Sequence, residues 1–216
     1  MADPDDGGLS PEEILRKADE AFSGGYRLFE AGHLPDAIAV FMRALELNRQ
    51  VEGTERQQAD CLGNTGLALY GVGRYEEALS SYRDALALFR TLPGTERQQA
   101  SCLNNTGNTL YGVGRYEEAL TAYRDALAAY RTLPDTERQQ ANCLNNTGNT
   151  LRRVGRYEEA LTAYRDALAA YRTLPDTERQ QANCLNNTGN TLRRVGRYEE
   201  ALTAYRDALA AYRTLP

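Results

Sequence analysis

The side chains best placed by type and spacing to do chemistry are asparagines. Asn142, Asn145, Asn149 and Arg152 recur at i, i+3, i+7 and i+10, which is one side of a helix. Asn183, Asn186, Asn190 and Arg193 repeat the stripe, Ser101, Asn104, Asn108 and Tyr111 vary it, and Asp60, Gly63, Leu67 and Tyr70 depart from it. A carboxamide carries donors and an acceptor, so a row of them suits the backbone of an extended peptide whatever its sequence. Asparagine is a mediocre helix former, and three or four per helix cost about 1–2 kcal/mol relative to alanine. That cost argues for use; the bland alternative is solvated groups, or hydrogen bonds between copies of a duplicated segment. Arg152, Arg153, Arg193 and Arg194 stand where the preceding copy has Tyr111 and Gly112. Guanidinium forks suit carboxylates, so a peptide with an acidic end is the matching ligand.

Other candidate groups point away from catalysis. The single histidine, His33, lies beside Pro35, and later copies have arginine at its position. No Ser/His/Asp set, metal-ligand cluster or glycine-rich phosphate loop can be assembled, so neither enzyme activity, cofactor nor metal is expected. Cys61, Cys102, Cys143 and Cys184 lie too far apart for a CxxC site and read as small buried packing residues. Asn104, Asn145 and Asn186 open N-N-T sequons, but a helical position without a secretion signal makes glycosylation improbable. Tyr157, Tyr164 and Tyr171 form a stripe at helical spacing, which reads as core.

The elements that must position these groups come from repetition. GRYEEAL begins at Gly73, Gly114, Gly155 and Gly196, a constant step of 41, and residues 135–175 and 176–216 are identical. Residues 94–134 differ from them only at Gly94, Ser101, Tyr111 and Gly112. A degenerate first copy ends its first helix at Gly32. The predicted organisation is a flexible acidic segment 1–9, a capping unit 10–52, and units 53–93, 94–134, 135–175 and 176–216. Within a unit, Thr136 and Gln139 have the form of a capping box. Ala141, Leu144, Gly148 and Leu151 mark the apolar face of a first helix, and Gly155 supplies the left-handed residue after it. The second helix opens at Arg156 or Tyr157 and buries Tyr157, Ala160, Leu161, Tyr164, Ala167, Leu168 and Tyr171. Leu174-Pro175 stops it. Ser10-Pro11-Glu12-Glu13 reads as the start of the first helix.

A two-helix unit this thin cannot bury both flanks alone, so neighbours must stack. At these residues the sequence resembles the tetratricopeptide repeat. Gly148 matches the family's small crossing residue, and Tyr157, Ala160, Tyr164 and Ala167 match its second helix. Leu144 stands where tryptophan is usual, and Leu151 where tyrosine is common. The unit is longer than the usual 34 residues and is similar to the long-repeat variants of kinesin light chains. The resemblance implies an all-α fold, an α-solenoid with a right-handed superhelix of five antiparallel helix pairs. It also implies that the Asn/Arg stripe lines a concave surface and that the partner is a protein or peptide.

Charge and hydropathy bound the remaining possibilities. The net charge of −5 is concentrated in residues 1–52, which have six more acids than bases, whereas residues 53–216 have one more base than acids. No basic stripe for nucleic acid is expected. No signal peptide or apolar run long enough for a bilayer is visible, which predicts a soluble, cytoplasmic chain. Glu20 and Arg27 stand where later units have cysteine and threonine, as on a polar outer face. Unit 176–216 repeats its predecessor verbatim, so its outer face is expected to be apolar and open, with a tail-to-tail homodimer as its natural use.

Overall fold

The computed structural model describes residues 9–213, so residues 1–8 of the expected acidic segment lie outside the described residues. Among the described residues the chain is ten α-helices and no strands. It divides into two compact blocks, Met1–Gln98 and Gln99–Pro216. The first holds α1 (Pro11–Glu30), α2 (Leu34–Asn48), α3 (Glu55–Gly71) and α4 (Tyr75–Arg90). The second holds α5 (Glu96–Gly112, whose first turn straddles the division), α6 (Tyr116–Arg131), α7 (Glu137–Arg153), α8 (Tyr157–Arg172), α9 (Glu178–Arg194) and α10 (Tyr198–Arg213). Consecutive helices pack as antiparallel hairpins, α1 on α2, α3 on α4, α7 on α8 and α9 on α10. Within each block, neighbouring hairpins stack through α2 on α3, α6 on α7 and α8 on α9. This is the all-α solenoid expected from the repeat.

Each hairpin is closed by a small residue against an aromatic ring. A Cβ on Gly148 would lie 2.6 Å from the Tyr164 ring, and Gly66, Gly107 and Gly189 meet Tyr82, Tyr123 and Tyr205 in the same way. Alanines complete the contact, with Ala160, Ala163 and Ala167 of α8 all buried. Between the helices, Gly155 has φ +80°, the left-handed geometry the sequence anticipated.

The cysteines fill the seam between hairpins, as expected. Cys143 packs with Ala100, Ala126 and Tyr130, and Cys184 with Ala141, Ala167 and Tyr171. None of the four cysteines is in a disulfide, and all four are buried. Burial pushes the thiols of Cys61, Cys143 and Cys184 up to about 12, so they stay protonated.

The predicted capping box at Thr136 is not formed. Thr136 makes no side-chain cap bond to its own helix. It is fully buried, and its Oγ1 donates backwards to the carbonyls of Tyr130 (2.6 Å) and Leu133 (3.1 Å). Thr54 and Thr177 do the same to the helices before them. The physical reason is that the last carbonyls of a helix lack the usual amide four residues on; Tyr130 keeps a backbone bond from Leu133 N at 3.0 Å, and the threonine adds a further donor in a buried turn. Gln140, not Gln139, reaches the threonine, donating to Oγ1 at 3.0 Å. The capping box at Ser10 and Glu13 does form, with both reciprocal bonds present.

Two outer faces differ in character. On α1, Glu20 and Arg27 are exposed, and Glu20 pairs with Arg16 at 2.7 Å. On α10, Tyr198, Leu202, Leu209 and Tyr212 are 65%, 54%, 50% and 39% exposed, whereas Tyr171, the α8 counterpart of Tyr212, is 2% exposed under α9.

Candidate functional site

The asparagine stripes lie on α5, α7 and α9 and have an internal use that the sequence did not reveal. The Tyr164 hydroxyl donates to Asn149 Oδ1 at 2.9 Å, and Tyr171 to Asn142 Oδ1 at 2.6 Å. In the next hairpin Tyr205 donates to Asn190 at 3.0 Å and Tyr212 to Asn183 at 2.5 Å. Tyr123 donates to Asn108 at 2.8 Å, and Ser101 shares a hydrogen bond with Tyr130 at 2.9 Å. On α5 and α7 the middle asparagine faces the next hairpin. Cys143 Sγ donates to Asn104 Oδ1 at 3.4 Å, and Cys184 to Asn145 Oδ1 at 3.2 Å. Asn146 Nδ2 adds a second donor to Asn108 Oδ1 at 3.0 Å.

These bonds fix which end of each amide faces outward. Phenol and thiol both hold their protons: burial pushes Tyr164 up to about 12, with a hydrogen bond from Arg152 opposing the shift, and burial also raises Tyr171. Neutral donors therefore engage the oxygens of Asn142, Asn149, Asn183 and Asn190, which leaves their Nδ2 groups as the donors of those amides, whereas Asn104 Nδ2 donates to Asn105 Oδ1 at 3.5 Å. Asn142, Asn183, Asn186 and Arg193 are exposed; Asn104, Asn108, Asn145, Asn149, Asn190, Tyr111 and Arg152 are half-buried.

The arginines divide. Arg152 lies against the Tyr164 phenol, and its Nε is buried without a hydrogen-bond partner. Arg193 is its exposed counterpart one hairpin on. Arg153 turns away from the stripe and covers the Tyr116 ring, 5.9 Å from its centroid. Tyr111 stacks edge-on against the same ring at 5.7 Å.

Tyr164, Tyr171, Cys184 and Asn146 thus belong to the site, although sequence reasoning placed the first three in the core and passed over the last. A signal was available in the way positions co-vary between copies. Where the second helix has Phe41 or Phe89 in place of the hydroxyl-bearing tyrosine, the first helix has Tyr26 or Asp60 in place of asparagine.

Hairpins of this kind, closed by a glycine against an aromatic and stacked through small residues, define a helical-repeat solenoid. The chain belongs to the tetratricopeptide repeat family, whose sequence model matches residues 28–91, 66–132, 98–173 and 139–214. Among solved structures it is similar to BtubC (BKLC) from P. vanneervenii, at 17% identity, 95% of this chain, 92% of that one and a TM-score of 0.77. It is also similar to the nearly identical TPR-like repeats of a putative kinesin light chain from Podosopora anserina, at 14% identity, with 95% and 97% covered and a TM-score of 0.74. A Rap protein complexed with Competence and Sporulation Factor matches at 21% identity and a TM-score of 0.73, over 94% of this chain and 55% of that one. At such identities the likeness is one of fold. No curated protein sequence matches the chain. Among the described residues no group of three or more His, Cys, Asp or Glu is placed to hold a metal ion. No helix among them is long and apolar enough to cross a membrane.

Proposed function

We propose that the chain is a non-catalytic scaffold that binds a protein or extended peptide, and that α5, α7 and α9 carry the binding face. The observation that supports it is the inward lock on the asparagine oxygens. With Oδ1 of Asn142, Asn149, Asn183 and Asn190 held by phenols, the stripe offers N–H groups, joined by the guanidinium of Arg193. A surface of donors selects acceptors, which are the carbonyls of an extended backbone and the carboxylates of acidic side chains. The Rap structure, solved with Competence and Sporulation Factor, lends support as an instance of this fold holding a partner. The free thiols fit a reducing compartment such as the cytoplasm.

The test is Asn149→Asp with Asn190→Asp. A carboxylate still accepts from the tyrosine, so the fold is kept while the outward donor becomes an acceptor. Screened against an array of extended peptides, the native chain should prefer Asp- and Glu-bearing sequences, and the variant should lose that binding by about tenfold or more at an unchanged melting temperature. Equal binding by both proteins would remove the donor face from the reading.

A second reading, self-association, is favoured by the exposed α10 face of Tyr198, Leu202, Leu209 and Tyr212. Light scattering at rising concentration tests it. A dimer abolished by Leu202→Glu with Leu209→Glu supports association through α10, and a monomer throughout dismisses it.

A further inference from the structure

The first two hairpins carry a different surface at the positions where α7 and α9 carry asparagine. On α1 these are Asp19, Phe22, Tyr26 and Phe29, and on α3, which contacts α1, they are Asp60, Gly63, Leu67 and Tyr70. Phe22 and Phe29 are anchored from behind, Phe22 against the Phe41 ring at 5.6 Å and Phe29 against the cluster of Ile38, Ala68, Leu69, Ala78 and Tyr82. Tyr26 is 47% exposed, and Tyr70 is 39% exposed although its ring tilts against Tyr75 at 5.7 Å. A Cβ on Gly63 would meet nothing within 4 Å, so the surface has an open notch between Asp60 and Leu67. Large aromatics left in water beside a notch mark an interaction surface more often than a packing need.

The charge on this surface says what it fits. In the second block, each position equivalent to Asp60 has its oxygen engaged by a tyrosine hydroxyl: Asn142 by Tyr171, Asn183 by Tyr212, Ser101 by Tyr130. Asp60 faces Phe89 at that place, and phenylalanine has no hydroxyl to donate. Asp19 faces Asn48, whose Nδ2 is spent on the Ala44 carbonyl and Cys61 Sγ. Both carboxylates are near enough to act on the Cys61 thiol, Asp60 more than Asp19. The cation that acts on Asp60, Arg56, has its guanidinium hydrogen-bonded to the Pro93 carbonyl at 3.0 Å. Partial burial raises the Asp60 pKa, and the attraction of Arg56 opposes the rise without cancelling it.

We propose that the α1/α3 face docks a peptide segment in which a cationic side chain stands beside an aromatic one. The cation meets Asp19 and Asp60, and the aromatic ring lies over the notch at Gly63, with Tyr26 of α1 as its exposed aromatic neighbour and Tyr70 two turns further along α3. Tyrosine faces also attract a Lys or Arg head directly. The chain's own residues 1–8 are unsuited as occupant, since they contain three aspartates and no base. The surface uses none of the residues of the donor face on α5, α7 and α9, so the two readings stand or fall separately.

The chain contains no tryptophan, so the emission of a tryptophan peptide reports binding directly. The probe is acetyl-Lys-Trp-Lys-amide, with acetyl-Glu-Trp-Glu-amide as control, titrated with the full chain. The lysine peptide should bind and the glutamate peptide should not. Asp19→Asn with Asp60→Asn, which keep shape and lose charge, should weaken binding about tenfold without changing the helical signal. Tyr26→Ser should weaken it as well. No response, an equal response to both peptides, or unaltered affinity in the Asp→Asn variant would overturn the proposal. So would a dimer that Tyr26→Ser dissociates, since the occupant would then be a second copy.

Discussion

Asn149 shows how one residue serves two ends. Its oxygen joins the first helix of a hairpin to the second through Tyr164, and in the proposed function its nitrogen is the group offered to a partner. The same crossing depends on Gly148, where a Cβ would stand 2.6 Å from the Tyr164 ring. Real side chains do not approach so closely, and the ring is pinned by Asn149 and Arg152, so it cannot simply move away. Gly148→Ala should therefore destabilise the chain by about 1–3 kcal/mol, despite the better helix propensity of alanine. Urea denaturation measures it, and the same substitution at Gly63, where a Cβ meets nothing, serves as the contrast with no loss.

At the scale of the element, the turn between hairpins rests on the buried threonine. Asp135, just before Thr136, adopts φ +53°, a left-handed conformation that aspartate tolerates better than most residues. That bend carries Thr136 under the end of α6, where its hydroxyl serves two carbonyls left over by the helix. Thr136→Val keeps the shape and removes the donor. The expected cost is about 1–3 kcal/mol, since the Leu133 carbonyl loses its hydroxyl donor and the Tyr130 carbonyl keeps only the Leu133 amide and a long bond from Gln140. A smaller loss in Thr136→Ser than in Thr136→Val, measured by thermal unfolding, would identify the hydroxyl as the cause.

Across the whole molecule, protonated thiols and phenols at the seams tie stability to pH. Cys61, Cys143 and Cys184 are raised from 9.0 to about 12, and Tyr164 from 10.0 to about 12. Groups raised in this way hold their protons longer folded than unfolded. Their contribution is complete below about 9 and is lost as the pH climbs toward about 12. Urea midpoints should thus be level up to about pH 8 and fall steadily above about pH 9. A Cys143→Ala, Cys184→Ala variant should show a shallower alkaline decline.

The step of 41 residues determined the hairpins, their stacking and the family, because a repeated apolar pattern on thin units admits few other ways to stay dry. Helix ends were legible where a local signal decides them, as at Ser10 with Glu13 and at Gly155. Thr136 misled because its hydroxyl can accept from an amide of its own first turn or donate to carbonyls behind it, and packing against the preceding helix end chose the second. The asparagine stripe was visible as a stripe, but its polarity was not. Which end of an amide turns outward depends on the donor brought against it, and Tyr164 reaches Asn149 only once the two helices cross at Gly148. Periodicity records which residues share a face; the direction of each hydrogen bond is decided by packing, when side chains far apart in the chain arrive at the same place.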